Sequence, residues 1–232
     1  MLQIRLAKTL DHADFGWLKA RHHFKVTRDG NPTNTPVGSL VVWNDDEIVP
    51  GRGFDLHSHV NMEIISYIRR GAVTHRDSIG SVGTTSAGDV QAMSAGSGIR
   101  HSEFNLGQEP LNLFQIWLRP RQPGGEPHWD SRRFPKADRA NQLVVLASGF
   151  PEDADALPIG ADARVLGATL LTESELTYIM GDLRHAYLAP ALGVVTVNGQ
   201  RLGVGDGIAA DNEQTLTIKA EEDAEFVLVA TN

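Results

Sequence analysis

Two short triplets carry the side chains most able to do chemistry, His57-Ser58-His59 and His101-Ser102-Glu103. In a β-strand, residues two apart share a face, so each triplet offers two donors to one side. On an α-helix the same spacing turns about 200° and separates them. The run after the first triplet, with Ile64, Ile65, Tyr67 and Ile68, favours strands. If the two strands lie side by side, His57, His59, His101 and Glu103 converge, and three imidazoles with one carboxylate suit a divalent transition metal. Four protein ligands on an octahedral ion leave two adjacent positions open. One suits an anionic substrate oxygen and the other O2 or water, the layout of an iron oxygenase. Glu103 then serves twice, as ligand and as the base that accepts a substrate proton. The chain has no cysteine, which excludes disulfides, thiolate zinc sites and cysteine catalysis.

The elements that must hold these donors read as short strands. Before the first triplet, segments 2–6 and 39–43 and a turn-plus-strand at 15–26 alternate, with a Gly-, Asn-, Pro- and Thr-rich loop at Thr27–Val37. Strands then follow closely at about 54–59, 62–69, 72–77, 82–87, 89–94, 99–105 and 111–119, separated by glycines. Residues 121–141, rich in Pro, Gly and Arg, read as a linker packed across both halves, between a first domain at 1–120 and a second at 142–232. The second block is again strand-rich, and Asn198-Gly199 is a strong hairpin signal. Its phrase GVVTVNGQRLGVGDG parallels GAVTHRDSIGSVGTTSAGD in the first block, a degenerate internal repeat without the histidines. The expected fold is therefore all-β, two barrel or sandwich domains packed together, with the metal in the first.

Charge and histidine are both unevenly spread. Residues 1–142 carry a net charge of +2 and residues 143–232 a net charge of −10. Eight of the nine histidines lie in residues 1–128, which confines a histidine site to the first half. The acidic second half repels phosphate and the first is too nearly neutral for a nucleic-acid face. No apolar run is long enough to span a membrane and no secretory signal is visible, so the expected location is the cytoplasm.

The residues also resemble a known family. Gly51 followed by His57-x-His59, with Glu63 after it, and Gly88 through His101 to Asn105, follow the two cupin patterns. The run His75-x-Asp77-Ser78-x-Gly80, then Gln91-x-Met93 through to His101-Ser102-Glu103, is similar to the pirins. So are Gly16-Trp17-Leu18, His23-Phe24 and Gln115-x-Trp117. The resemblance implies a bicupin with one metal in the N-terminal barrel, ligated by His57, His59, His101 and Glu103 rather than Glu63. It implies Fe(II) as the native metal, with Ni, Cu, Mn or Zn as alternatives. The implied activity is quercetin 2,3-dioxygenase, acting on a small flat anionic aromatic substrate with O2. A flavonol would bind through its deprotonated 3-hydroxyl and lose carbon monoxide as its heterocycle opens. The alternative that it implies is a non-catalytic regulator binding transcriptional or metabolic proteins. Ser58, where the family commonly has proline, and the loop after His23-Phe24 depart from the pattern and bear on substrate choice.

Other residues have plainer readings. His75 and Asp77 share a strand face and line the pocket, hydrogen-bond a ligand histidine, or form an ordinary polar face. Glu63 reads as a supporting or solvent-facing carboxylate, and His23 as a structural or rim residue. Met93 and Phe114 read as core, and Trp17, Trp43 and Trp117 as core or barrel-mouth packing. Gly96 and Gly98 read as turn glycines, with no helix after them to make a phosphate loop.

Overall fold

The computed structural model describes residues 1–26 and 30–232. Thr27, Arg28 and Asp29, at the start of the Thr27–Val37 loop, lie outside the described residues. Strands dominate, and among the described residues helix is limited to two short 3-10 turns, Ala7–Thr9 and Lys136–Arg139.

Each half contributes one seven-stranded and one four-stranded sheet. In the first half the larger sheet runs, neighbour to neighbour, His128–Arg132, Val90–Ser94, Glu63–Arg70, Leu111–Leu118, Leu40–Ile48, Leu18–His22 and Asp11–Asp14. The smaller runs Gly53–His59, Ile99–Phe104, Ala72–Asp77 and Val82–Ser86. The second half repeats the plan, which is the physical counterpart of the repeat in the sequence. The chain thus adopts the expected all-β, two-domain fold, as cupin jelly-roll sandwiches rather than closed barrels.

The larger sheets are buried on both faces, so their central strands are almost uninterruptedly apolar. Along Glu63–Arg70, Ile65 and Tyr67 face the other domain, where with Trp43 and Phe114 they pack against Val165, Tyr187, Val227 and Val229. Ile64 and Ile68 face inward. The interior of the second domain is one continuous apolar core. The interior of the first is split into two small apolar clusters, one around Ile68 and Leu113, the other around Ile64 and Met93. By strand alternation, Ser66 lies between Ile64 and Ile68, and Gln115 between Leu113 and Trp117. Together with buried Asp46, His75, Gln91 and Glu103 they form a polar belt across that interior. A buried polar layer costs stability unless each group finds a partner.

Two segments tie the halves together. Leu2–Arg5 adds to the second half's sheet, with Leu2 opposite Ala210 and Arg5 opposite Gly207. The linker stretch packs against both halves. His128–Arg132 pairs with Val90–Ser94 in the first half. Buried Arg139 donates to the Tyr67 hydroxyl at 3.1 Å and to the Gly88 carbonyl at 3.3 Å. Lys136 pairs at 2.6 Å with Glu225 of the second domain. The stretch is a clamp across both halves, and its buried Arg139 and its Lys136 supply the contacts.

Candidate metal centre

Three antiparallel strands assemble the site. Between Gly53–His59 and Ile99–Phe104, His57 lies opposite His101, and a register shift then sets Glu103 opposite Phe54. The extra residue falls at Asp55-Leu56, both exposed, as a bulge that bends the strand beside the donors. On the other side of Ile99–Phe104, His101 lies opposite Asp77 and Glu103 opposite His75. The close pairing depends on Gly53, where an added Cβ would sit 2.1 Å from the Glu103 carbonyl oxygen and 2.6 Å from the Phe104 Cα. Gly53→Ala is expected to force these strands apart and lower stability by roughly 1–3 kcal/mol, measurable by urea denaturation.

The rings converge. His101 lies 4.4 Å from His57, 5.1 Å from His59 and 5.3 Å from His75, centroid to centroid. His57, His59 and His101 each present a ligand atom within 4.8 Å of one another, and His75, His101 and Glu103 do the same. The four residues read from the sequence, with His75 as a fifth, therefore fall into two overlapping triads that share His101, and Glu103 groups with His75.

The donor set fits a metal. The His57 Nδ1–H donates to the Asp55 carbonyl at 2.7 Å, which leaves Nε2 as the lone-pair nitrogen. Nε2 of His59, both ring nitrogens of His101 and Nδ1 of His75 are buried without a hydrogen-bond partner. Orphaned buried nitrogens are rare unless an ion or water serves them. Burial, then the neighbouring His57, holds His59 down to about 4; burial, then His57 and His59, holds His101 down to about 3. Both imidazoles are thus neutral, as ligation requires. Glu103 is pushed up to about 7 by burial, against hydrogen bonds from Gln91 and Ser66.

The family model described as Pirin matches residues 3–118, half of the chain, and that described as Quercetinase C-terminal cupin domain matches residues 145–230. The chain belongs to the pirin family. A Pirin-like protein of Caulobacter vibrioides is 57% identical over 220 residues, 95% of each chain. A quercetin 2,3-dioxygenase of Escherichia coli K12 is 36% identical over 230 residues, covering 98% of this chain and 97% of that one. The solved structure of the bacterial pirin YhhW from Escherichia coli in complex with nickel(II) superposes with a TM-score of 0.92. It is 34% identical and covers 100% of this chain and 99% of the other.

Within this pirin fold, the remaining sequence candidates separate. His75 is fully buried, bonded through Nε2 to Asp77 at 3.0 Å and stacked on Trp129 at 4.6 Å. Asp77 is fixed in turn by the Ile79 and Ser81 amides at 3.0 and 2.9 Å. Both stand beside the candidate ligands. Glu63 does not. It shares the face of Ile65 and Tyr67, away from the first domain's interior, and accepts a hydrogen bond from Ser94. It lines a separate cavity of about 270 Å³ between the halves with His128 and Gly160. A one-residue change of strand position reverses the face, which the spacing from His59 hides. His23 also lies elsewhere: its Nδ1 meets the Tyr187 hydroxyl at 2.8 Å in the inter-domain core, and burial holds its pKa down to about 3. Trp17 meets Phe54 edge-on at 5.5 Å, and Trp117 meets His59 edge-on at 4.9 Å. Residue-level reading assigned no role to Gln91, Gln115 or Trp129, which touch the candidate ligands or their neighbours. Gln91 and Gln115 stand two residues from inward-facing Met93 and Leu113 and belong to the family-like patterns, whereas Trp129 carries no signal in the sequence.

Among the described residues no helix is long and apolar enough to cross a membrane.

Proposed function

We propose that this protein is a metal-dependent dioxygenase that opens the heterocycle of a flavonol such as quercetin, with His57, His59, His101 and Glu103 as ligands and Fe(II) as the native metal. The observation that carries this reading is the set of neutral, buried imidazole nitrogens with no protein partner, gathered beside a buried carboxylate. The names of the quercetin dioxygenase relative and of the C-terminal family model support the substrate class. When bound, the ion supplies Lewis acidity toward an anionic substrate oxygen and a site for O2 chemistry.

The chain supplies the rest. Asp55 fixes the tautomer of His57 through its carbonyl. The His57 and His59 side is half-exposed whereas His101 and Glu103 are buried, so substrate enters from the histidine pair. Phe54, backed by Trp17, packs beside His57, and Trp117 packs beside His59, offering flat apolar faces to an aromatic ring. Glu103 is the carboxylate placed to take the proton of the substrate's hydroxyl.

The test is aerobic incubation of iron-, nickel-, copper- and manganese-loaded protein with quercetin. Quercetin loss with carbon monoxide release is expected, with none under anaerobic conditions and none from His59→Ala. No turnover in any of the four forms would sink the proposal.

A further inference from the structure

Glu103 does not stand free in the polar belt. Its Oε1 accepts from Gln91 Nε2 at 2.6 Å and its Oε2 from Gln115 Nε2 at 3.1 Å. Each amide is held at its other end. The Trp117 indole N–H donates to Gln115 Oε1 at 3.1 Å, and the Thr85 hydroxyl donates to Gln91 Oε1 at 3.0 Å. A free glutamine amide presents either its oxygen or its NH2 to a neighbour. An indole can only donate, so the Gln115 atom facing Trp117 must be the oxygen, and the atom facing Glu103 must be the NH2. The same Trp117 ring packs edge-on against His59 at 4.9 Å. Trp117 therefore touches one candidate ligand through its ring and reaches another through Gln115.

We infer that Gln91, Gln115 and Trp117 are positioning residues that fix the Glu103 carboxylate for metal binding. Trp117 acts through the amide orientation of Gln115. This inference rests on the metal-centre reading above. With both oxygens engaged by amides, the carboxylate is aimed rather than free to rotate, and its entropy of ordering is met before the metal arrives. The arrangement also gives a physical reason for the Gln115-x-Trp117 pattern: two apart on one strand, both side chains face inward, and the second donates to the first.

The test uses nickel(II) alone as the probe, on full-length protein, with affinity read by chelator competition and the ligand field by absorption. Gln91→Leu and Gln115→Leu should each weaken nickel binding by about 10–100-fold. Trp117→Phe keeps a ring against His59 and removes only the N–H. It should weaken binding in the same direction and shift the nickel spectrum, while the metal-free protein melts within a few degrees of wild type. The double variant Gln115→Leu/Trp117→Phe should bind nickel no more weakly than Gln115→Leu, because both break one relay. Unchanged affinity in folded Trp117→Phe, or losses that multiply in the double variant, would overturn the relay. Wild-type protein that binds no nickel, or His59→Ala that binds as wild type does, would remove the metal-centre reading and this inference with it.

Discussion

His101→Leu is expected to lose the metal and yet to make the metal-free protein more stable. His101 is buried, sits among His57, His59 and His75, and has no hydrogen-bond partner at either ring nitrogen. An unpartnered buried polar group costs about 1–3 kcal/mol, and leucine has a similar volume with nothing to satisfy. Without metal, the variant should therefore gain about that amount. With metal the order reverses. At a nickel concentration a thousandfold above its Kd, wild type gains about 4 kcal/mol by mass action, whereas the variant gains nothing measurable. Turnover should fall by more than about 100-fold, the upper end of what loss of a mere supporting partner costs. The acid limb of stability should change too. Burial, then His57 and His59, lowers the folded pKa of His101 to about 3 from 6.5. Its contribution is full above pH 6.5 and is lost as pH falls toward 3, so His101→Leu should be less acid-sensitive. Urea titrations of metal-free protein at several pH values, and melts with and without nickel, read all of this. A variant that is less stable without metal, or that still gains stability from nickel, contradicts the assignment.

The candidate donors were legible because a strand's two-residue period is visible in sequence: His57-x-His59 and His101-x-Glu103 point inward together as their spacing requires. Register between strands is not visible. The bulge that sets Glu103 opposite Phe54 rather than Asp55 depends on backbone pairing across more than forty residues of chain. Glu63 shows the cost of that blindness. Its distance from His59 allowed a role at the metal, but it falls on the strand face of Ile65 and Tyr67, and so looks into the inter-domain side. For His23, read as a structural or rim residue, only the partner was out of reach. Its partner, the Tyr187 hydroxyl, belongs to the other half of the chain, and no local pattern foretells a contact across a domain interface. The Arg- and Pro-rich stretch at 121–141 is legible as a linker packed across both halves, but its particular contacts, buried Arg139 with Tyr67 and Lys136 with Glu225, are not. Periodicity gives the face of a residue within its own strand, and tertiary pairing decides what that face meets.

Asp46→Asn should remove a fall in stability with rising pH. Asp46 lies on Leu40–Ile48, opposite Leu113 and Ala20, and shares the inward face of Ile48. It is 1% exposed and neither carboxylate oxygen has a donor. Burial, then Asp45, then Glu103 push its pKa up to about 8 from 3.8. The folded protein therefore holds this proton where the unfolded chain has released it. Stability from this group is full below about pH 4, falls by about 1.4 kcal/mol per unit as pH rises toward 8, and is flat beyond. Summed over that window the loss is on the order of 5 kcal/mol. Asparagine cannot ionise, but its amide is as poorly partnered, so near pH 4 the variant should be no more stable than wild type. Near pH 8 it should be more stable by several kcal/mol, a fraction of the full window. Glu103 and Glu225, both pushed up to about 7 by burial, act in the same direction and persist in the variant. His23, His59 and His101, held low by burial, act in the opposite direction below pH 6.5. The wild-type curve alone therefore mixes many groups, His75 among them, and only the difference between the two proteins isolates Asp46. Denaturation of both metal-free proteins at half-unit steps from pH 4 to 8.5 gives that difference. A gap that stays constant with pH would mean that Asp46 ionises freely in the folded protein, through water or a donor that reaches the polar belt.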